Sequence, residues 1–163
     1  MNTADIAEFI HHEAALLDDR RLEEWLDLFA ADGVLWVPGR SGAADPSRHV
    51  SIIYDEFSQL RARVTRLLSG KESSQDPPSR TIRSVTNLRW SVGDDGLIAA
   101  DVAMVIYETR ALDAPLLILP SRVRYLLRST EVETANHSGF RIVEKRLDLL
   151  EVHRHFNNLA FLL

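Results

Sequence analysis

The chain has 163 residues and no cysteine. Its absence excludes disulfides, thiolate zinc sites, cysteine nucleophiles and every iron–sulfur cluster that needs cysteine ligands. Redox chemistry would have to be carried by a partner. Positive charge is also in deficit: 19 lysines and arginines face 24 aspartates and glutamates, and the arginines are scattered among the acids. Such a surface has no stripe to neutralise phosphates, so nucleic acid is not an expected partner. No apolar run reaches the roughly 20 residues that span a bilayer. The opening "MNTADIAEFIHHEAALL" lacks a basic segment followed by an apolar block, so the expectation is a cytoplasmic protein without a membrane partner. A glycine-rich phosphate loop, a nucleophile elbow and paired carboxylates at catalytic spacing are missing too.

What is present, 45% apolar and 26% charged residues, suits one globular domain over residues 1–163 with a real core. Helices are predicted over about residues 4–70, a sheet mainly over 81–152, and a C-terminal tail over 153–163. Ile6, Phe9, Ile10 and Leu17 recur at helical spacing behind Thr3 and Asp5 as caps. Leu22, Trp25, Leu26 and Phe29 repeat the pattern for a second helix, which Ala31–Gly33 would end. "VLWVP" reads as a short strand stopped by Pro38, and "HVSII", His49 to Ile53, as another. Phe57, Leu60, Val64, Leu67 and Leu68 mark a third helix closed by Gly70.

After "SQDPPSRT", Ser74 to Thr81, the period changes to two. Ile82, Leu88, Trp90 and Val92 fall on one face of the next strand, with Arg83, Asn87 and Arg89 on the other. "GDDG" supplies a hairpin turn, and "LIAADVAMVIYETR", "LLILPSRVRYLLR" and "FRIVEKRLDLL" read as three more strands. Helices followed by a meander make an α+β class, three N-terminal helices packed on one face of a curved antiparallel sheet.

Several residues carry possible chemistry. In an extended "EVHRH", Glu151, His153 and His155 would point one way, as a carboxylate and two imidazoles do around non-haem iron; the competing reading is a solvated polar stretch past the last strand. His11 and His12 diverge by about 100° on a helix and cannot share a ligand. Asp101 shares parity with Leu97, Ala99, Ala103, Val105 and Tyr107, so it is either a buried acid or the partner of an arginine on a neighbouring strand, for which Arg83, Arg89, Arg122 and Arg124 are available. Tyr54 and Asp55 form a further polar pair, with Asp55 more simply a helix cap. Trp25, Trp36 and Trp90 are expected to fill core. None of the six histidines falls in the strand runs between Thr81 and Arg128, where a cone-shaped hydratase would need one.

Six segments carry a resemblance, in order along most of the chain: "EAALLDDRRLEEWLDLFAADGVLWVP", "SIIYDEFSQLRARVTRLLSG", "DPPSRTIRSVTNL", "RVRYLLR", "RIVEKRLDLL" and the terminal "NNLAFLL". Together they are similar to the small, or beta, subunit of Rieske non-haem iron aromatic-ring-hydroxylating dioxygenases. "YDEF", "RSVTN" and Ser121 depart from that family's usual pattern.

The resemblance implies a cystatin-like, nuclear transport factor 2-like cone. It implies no cofactor on this chain and no catalytic or metal-binding residue. It further implies a catalytic alpha subunit holding a Rieske two-iron two-sulfur cluster and a mononuclear iron, fed by a ferredoxin or reductase. Three alpha chains would join a homotrimer of this one. The rigid loop Asp76, Pro77, Pro78, Ser79 and Arg80 is then expected at a subunit interface, since pre-ordered backbone lowers the entropy lost on association. The competing reading keeps Arg80 inside the chain as a brace. A different class also stands: a stand-alone cone hydratase or isomerase using Asp101 or Tyr54 as acid or base.

Overall fold

A computed structural model describes residues 2–70, 77–110, 115–130, 139–151 and 162. Helix α1, Thr3–Asp18, starts from Asn2, whose side chain accepts from the Ala4 and Asp5 N–H groups while Asp5 returns a bond to the Asn2 N–H. The cap is therefore Asn2 rather than Thr3, and Asp5 completes a reciprocal box. Ile6, Phe9, Ile10, Leu16 and Leu17 bury one stripe. Helix α2 is shorter than expected, Leu22–Leu26, and Ala31–Gly33 does not end it. Strand β1, Phe29–Pro38, begins first, and Gly33 lies against β6 so closely that a Cβ would stand 2.8 Å from the Ile142 carbonyl. Phe29 thus serves the strand while its ring packs edge-on to Trp25 at 4.9 Å.

Strand β2, Ser51–Glu56, runs two residues later than its predicted start at His49, and α3, Phe57–Leu68, follows directly. Its cap is Glu56, not Asp55, because Asp55 points inward and accepts from Arg63 Nε at 2.5 Å. Leu60, Val64 and Leu67 bury its core face at i, i+4 and i+7. Strands β3, Arg80–Val92, β4, Ile98–Thr109, β5, Leu117–Ser129, and β6, Phe140–Leu149, make the predicted meander.

The six strands form one curved, open sheet in the order β2-β1-β6-β5-β4-β3, the expected cone architecture. It is mixed rather than wholly antiparallel, since β1 and β6 pair in parallel. Helix packing on one face lets inner and outer residues alternate, most regularly along β4.

Strand β3 departs from the predicted parity. Arg83 is buried and Ile82 is 66% exposed, whereas beyond the bulge between Thr86 and Arg89 it is Leu88 and Trp90 that turn inward. Asn87 sits in that bulge at φ 59°, a left-handed conformation. An extra residue shifts the side-chain alternation by one, so a single face assignment cannot hold across it. Asn87→Gly should leave stability within a few tenths of a kcal/mol, and Asn87→Val should cost about 1–2 kcal/mol, because a branched Cβ clashes at positive φ. Equal urea midpoints for the two variants would refute the bulge as the cause.

Candidate functional site

The inside of the cone holds a fully buried polar cluster built from four elements. Glu13 of α1 accepts from Trp25 Nε1 at 2.5 Å, from Lys145 Nζ at 2.7 Å and from the Tyr125 hydroxyl at 3.1 Å. Glu13, Trp25, Tyr125 and Lys145 are each 0% exposed. The ammonium also lies 6.0 Å from the Trp25 ring and 5.8 Å from the Tyr125 ring. Burial lowers the Lys145 pKa, opposed by Glu13 and reinforced by the Arg83 charge. Burial, then the Glu13 charge, holds the Tyr125 hydroxyl well above the usual tyrosine range. The donors that meet Glu13 tie it in place, and this hinders its use as a free acid or base.

A second cluster ties α1 to β3. Asp18 accepts from Thr81 Oγ1 at 2.9 Å, from the Arg83 N–H at 2.8 Å and from Arg83 Nη1. Arg83 Nη2 donates to the Leu162 carbonyl at 2.5 Å. Thr81, Arg83 and Leu162 border a cleft of about 20 Å³ together with Leu17, Leu22, Leu67 and Ser79, and among the described residues the buried Arg83 Nε has no partner. That volume accommodates about one water, against roughly 300–1,000 Å³ for ordinary small-molecule sites. An aromatic substrate does not fit there.

The residues singled out from the sequence lie elsewhere. Asp101 is not buried: on the outer face of the sheet it accepts from Arg124 at 2.8 and 3.2 Å, so the arginine-partner reading holds and the cavity-acid reading falls. Tyr54 is 40% exposed on the same face, edge-on to Trp36 at 6.5 Å. Glu151 stands exposed in a turn after β6, and His153 and His155 lie outside the described residues. His11 is exposed and His12 half-buried on α1. Trp25 fills core as expected, whereas Trp36 is buried on the outer face of the sheet against Arg146 and Tyr54, and Trp90 is half-buried against the core and donates to Thr3 Oγ1 at 3.0 Å. In the proline loop Pro77, Pro78 and Arg80 are exposed, and Asp76 lies outside the described residues. Ser79 is buried, its hydroxyl donating to Glu108 at 2.8 Å.

Sequence reasoning missed the buried charges Glu13 and Lys145 inside the cone and Glu108 beside the proline loop, and it considered Arg83 only as a possible partner of Asp101. Glu13 had a signal, since it continues the stripe of Phe9 and Ile10 at i+4 and i+3. Lys145 had none, because the irregularity in β5–β6 pairing resets which residues of "FRIVEKRLDLL" face inward.

The outer face carries its own electrostatics. Arg146 stacks 4.3 Å from the Trp36 ring and donates two bonds to Asp148. Glu144 beside it is half-buried, and loss of water raises its carboxyl pKa despite Arg146 and Arg124. The folded state therefore holds this proton more tightly than the unfolded one. The resulting cost is absent below the ordinary value of 4.5 and grows as pH rises through the folded value. Glu144→Gln is thus expected to raise the melting temperature of the dilute, unassociated chain at pH 7 and to leave it unchanged near pH 3.5. A rise of equal size at both values would contradict this origin.

Comparison with known proteins agrees with this architecture. The family model described as ring hydroxylating beta subunit matches residues 12–153. The 2-halobenzoate 1,2-dioxygenase small subunit of Burkholderia cepacia is 38% identical over 89 residues, 52% of this chain and 54% of that one, so the match spans about half of that relative's length. The small oxygenase component of the p-cumate 2,3-dioxygenase system of Pseudomonas putida is 32% identical over 158 residues, covering 93% of this chain and 82% of that one. Among solved structures, the beta subunit of benzoate 1,2-dioxygenase from Burkholderia mallei superposes with a TM-score of 0.74 at 23% identity, over 99% of this chain and 98% of the other. The shared cone, and a family pattern that runs from α1 past the end of β6, lead to one conclusion: this chain belongs to the family of ring-hydroxylating beta subunits.

Proposed function

We propose that the chain serves as the supporting, non-catalytic subunit of an aromatic-ring-hydroxylating oxygenase in aromatic catabolism. The observation that carries this is the family match over residues 12–153. Its larger alpha partner would hold the Rieske cluster and the mononuclear iron, take electrons from a ferredoxin or reductase, and insert oxygen into the ring. This chain does not fit such a cluster, whose ligands include two cysteines, because it has none. Relatives named for halobenzoate and cumate dioxygenases support an aromatic substrate class. The assembly we favour has three chains of each kind and works in the cytoplasm.

The exposed Pro77, Pro78 and Arg80 support a subunit contact for the proline loop, with Ser79 bracing it from inside through Glu108. The stand-alone enzyme reading loses its residues, since Asp101 is ion-paired on the outer face and Tyr54 lies at the sheet's outer edge. The test is a tagged pull-down from the native host grown on aromatic compounds. A brown complex with a larger chain and a Rieske-type visible spectrum is expected. A colourless assembly of this chain alone, while an oxygenase is expressed in the same cells, would overturn the proposal.

A further inference from the structure

Three arginines of this chain use the same edge in the same way. In Arg21, Arg124 and Arg146 the parallel Nε and Nη2 N–H groups grip both oxygens of a carboxylate, from Glu24, Asp101 and Asp148 respectively. Arg83 differs. Its side chain is 1% exposed, Asp18 takes Nη1, and Nη2 donates at 2.5 Å to a neutral acceptor, the Leu162 carbonyl. Its Nε is buried and has no partner among the described residues. An edge shaped for a carboxylate therefore holds a single carbonyl oxygen.

Arg83 lines the small cleft between α1 and β3, whose other walls suit an amphiphilic occupant. Leu17, Leu22 and Leu67 are apolar, and the Leu162 side chain, 4% exposed, packs into the same core. Arg20 brings a second guanidinium to the cleft. It does so from a left-handed backbone, φ 57°, just past the end of α1, where glycine is the usual residue because a Cβ is disfavoured. With Leu162 in place, the remaining space of about 20 Å³ admits no more than one further polar atom. A larger ligand enters only by taking the place of Leu162. That residue shows what its replacement needs: a branched apolar body against the leucines and an oxygen on Nη2, to which a second oxygen for Nε must be added. A short aliphatic carboxylate has all three.

We propose that this cleft is a binding site for a short branched aliphatic carboxylate, occupied in this structure by Leu162, and that the ligand displaces Leu162 and grips Arg83 through Nε and Nη2 together. Two charge-assisted bonds in fixed geometry then replace one bond to a neutral carbonyl, and this gain offsets the release of Leu162. The site goes beyond the supporting role of the chain and does not depend on it.

The experiment is thermal unfolding of the full chain with 4-methylpentanoate, set against 4-methylpentanamide, which keeps the shape and loses the charge, and against sodium chloride at equal ionic strength. The acid is expected to raise the melting temperature progressively with its concentration, and the amide and the salt to leave it unchanged. Leu162→Gly removes the competing occupant and should bind the acid at least about tenfold more tightly in a calorimetric titration, because the site no longer has to open. If that variant is unfolded alone, recovery of its circular dichroism spectrum by the acid and not by the amide reads the same preference. Arg83→Lys keeps a positive charge without the fork and should abolish the difference between acid and amide. Equal effects of acid and amide on the wild type and on Leu162→Gly would reduce the cleft to an apolar gap and overturn the proposal. So would the lack of any response of either chain to tens of millimolar acid, or a crystal structure grown with the acid in which a water alone sits on Nε and Leu162 keeps its place.

Discussion

Lys145→Met is expected to lower the stability of the folded chain by about 3–5 kcal/mol, the cost of leaving one member of a buried ion pair without its counter-charge. Methionine replaces the stem of the lysine almost in volume, so cavity formation contributes little. What remains is Glu13, 0% exposed, with the Trp25 and Tyr125 bonds but no ammonium at 2.7 Å. The carboxylate must then take up a proton or draw in water. Adding Glu13→Gln removes the orphan charge and is expected to recover more than half of the loss. Urea midpoints at constant slope measure both effects. A loss below about 1 kcal/mol for Lys145→Met would mean that the pair is neutral in the folded chain and that its charges contribute nothing.

The same pair has a pH signature. Lys145 carries a lowered pKa, so the unfolded chain binds more protons in the window between the folded value and 10.5, and the burial cost of the ammonium fades as pH rises through it. Tyr125 acts in the opposite sense above 10.0, where the unfolded hydroxyl ionises and the folded one does not. Stability therefore falls with pH on that side.

Asp18→Ala should cost a similar amount, about 3–5 kcal/mol, although Asp18 is 21% exposed and stands at the last residue of α1. An acid there opposes the helix dipole, so local energetics do not account for it. Its place follows from β3: Asp18 meets the side chain and the backbone N–H of Arg83 and the hydroxyl of Thr81. Without it the Arg83 guanidinium, 1% exposed, keeps the Leu162 carbonyl as a partner but has lost its counter-charge. Asp19→Ala, one residue on and exposed, is the control and should stay within about 0.5 kcal/mol. Equal losses at the two positions would show that Asp18 acts through the helix end and not through Arg83.

Both expectations concern charges that sequence periodicity assigned badly, and the reason is the same in each case. Periodicity reports the mean polarity of a face. The helix stripes of α1 and α3, the change of period after the proline loop and the hairpin at "GDDG" were legible because many residues repeat one preference. Arg83 and Lys145 are single polar residues in strands whose alternation is reset by a bulge or a pairing irregularity nearby. Asp101 was legible as one of two alternatives, and the register that sets it opposite Arg124 chose between them. Asn87 carried a weak hint, since asparagine tolerates positive φ, but nothing in "SVTNLRW" says that the strand must bulge there.

By itself, the sequence determined the α+β class, the positions of most elements, the absence of cysteine-ligated clusters and, through six ordered segments, the family. These are sums over many residues or properties of composition, and such sums survive local irregularity. Only the tertiary structure decided that β1 joins β6 in parallel, that Glu13 and Lys145 meet although 132 positions apart, and that Asp101 falls opposite Arg124. Each of these depends on register between distant strands and helices, which is set by the packing of the whole core and by no local stretch of chain.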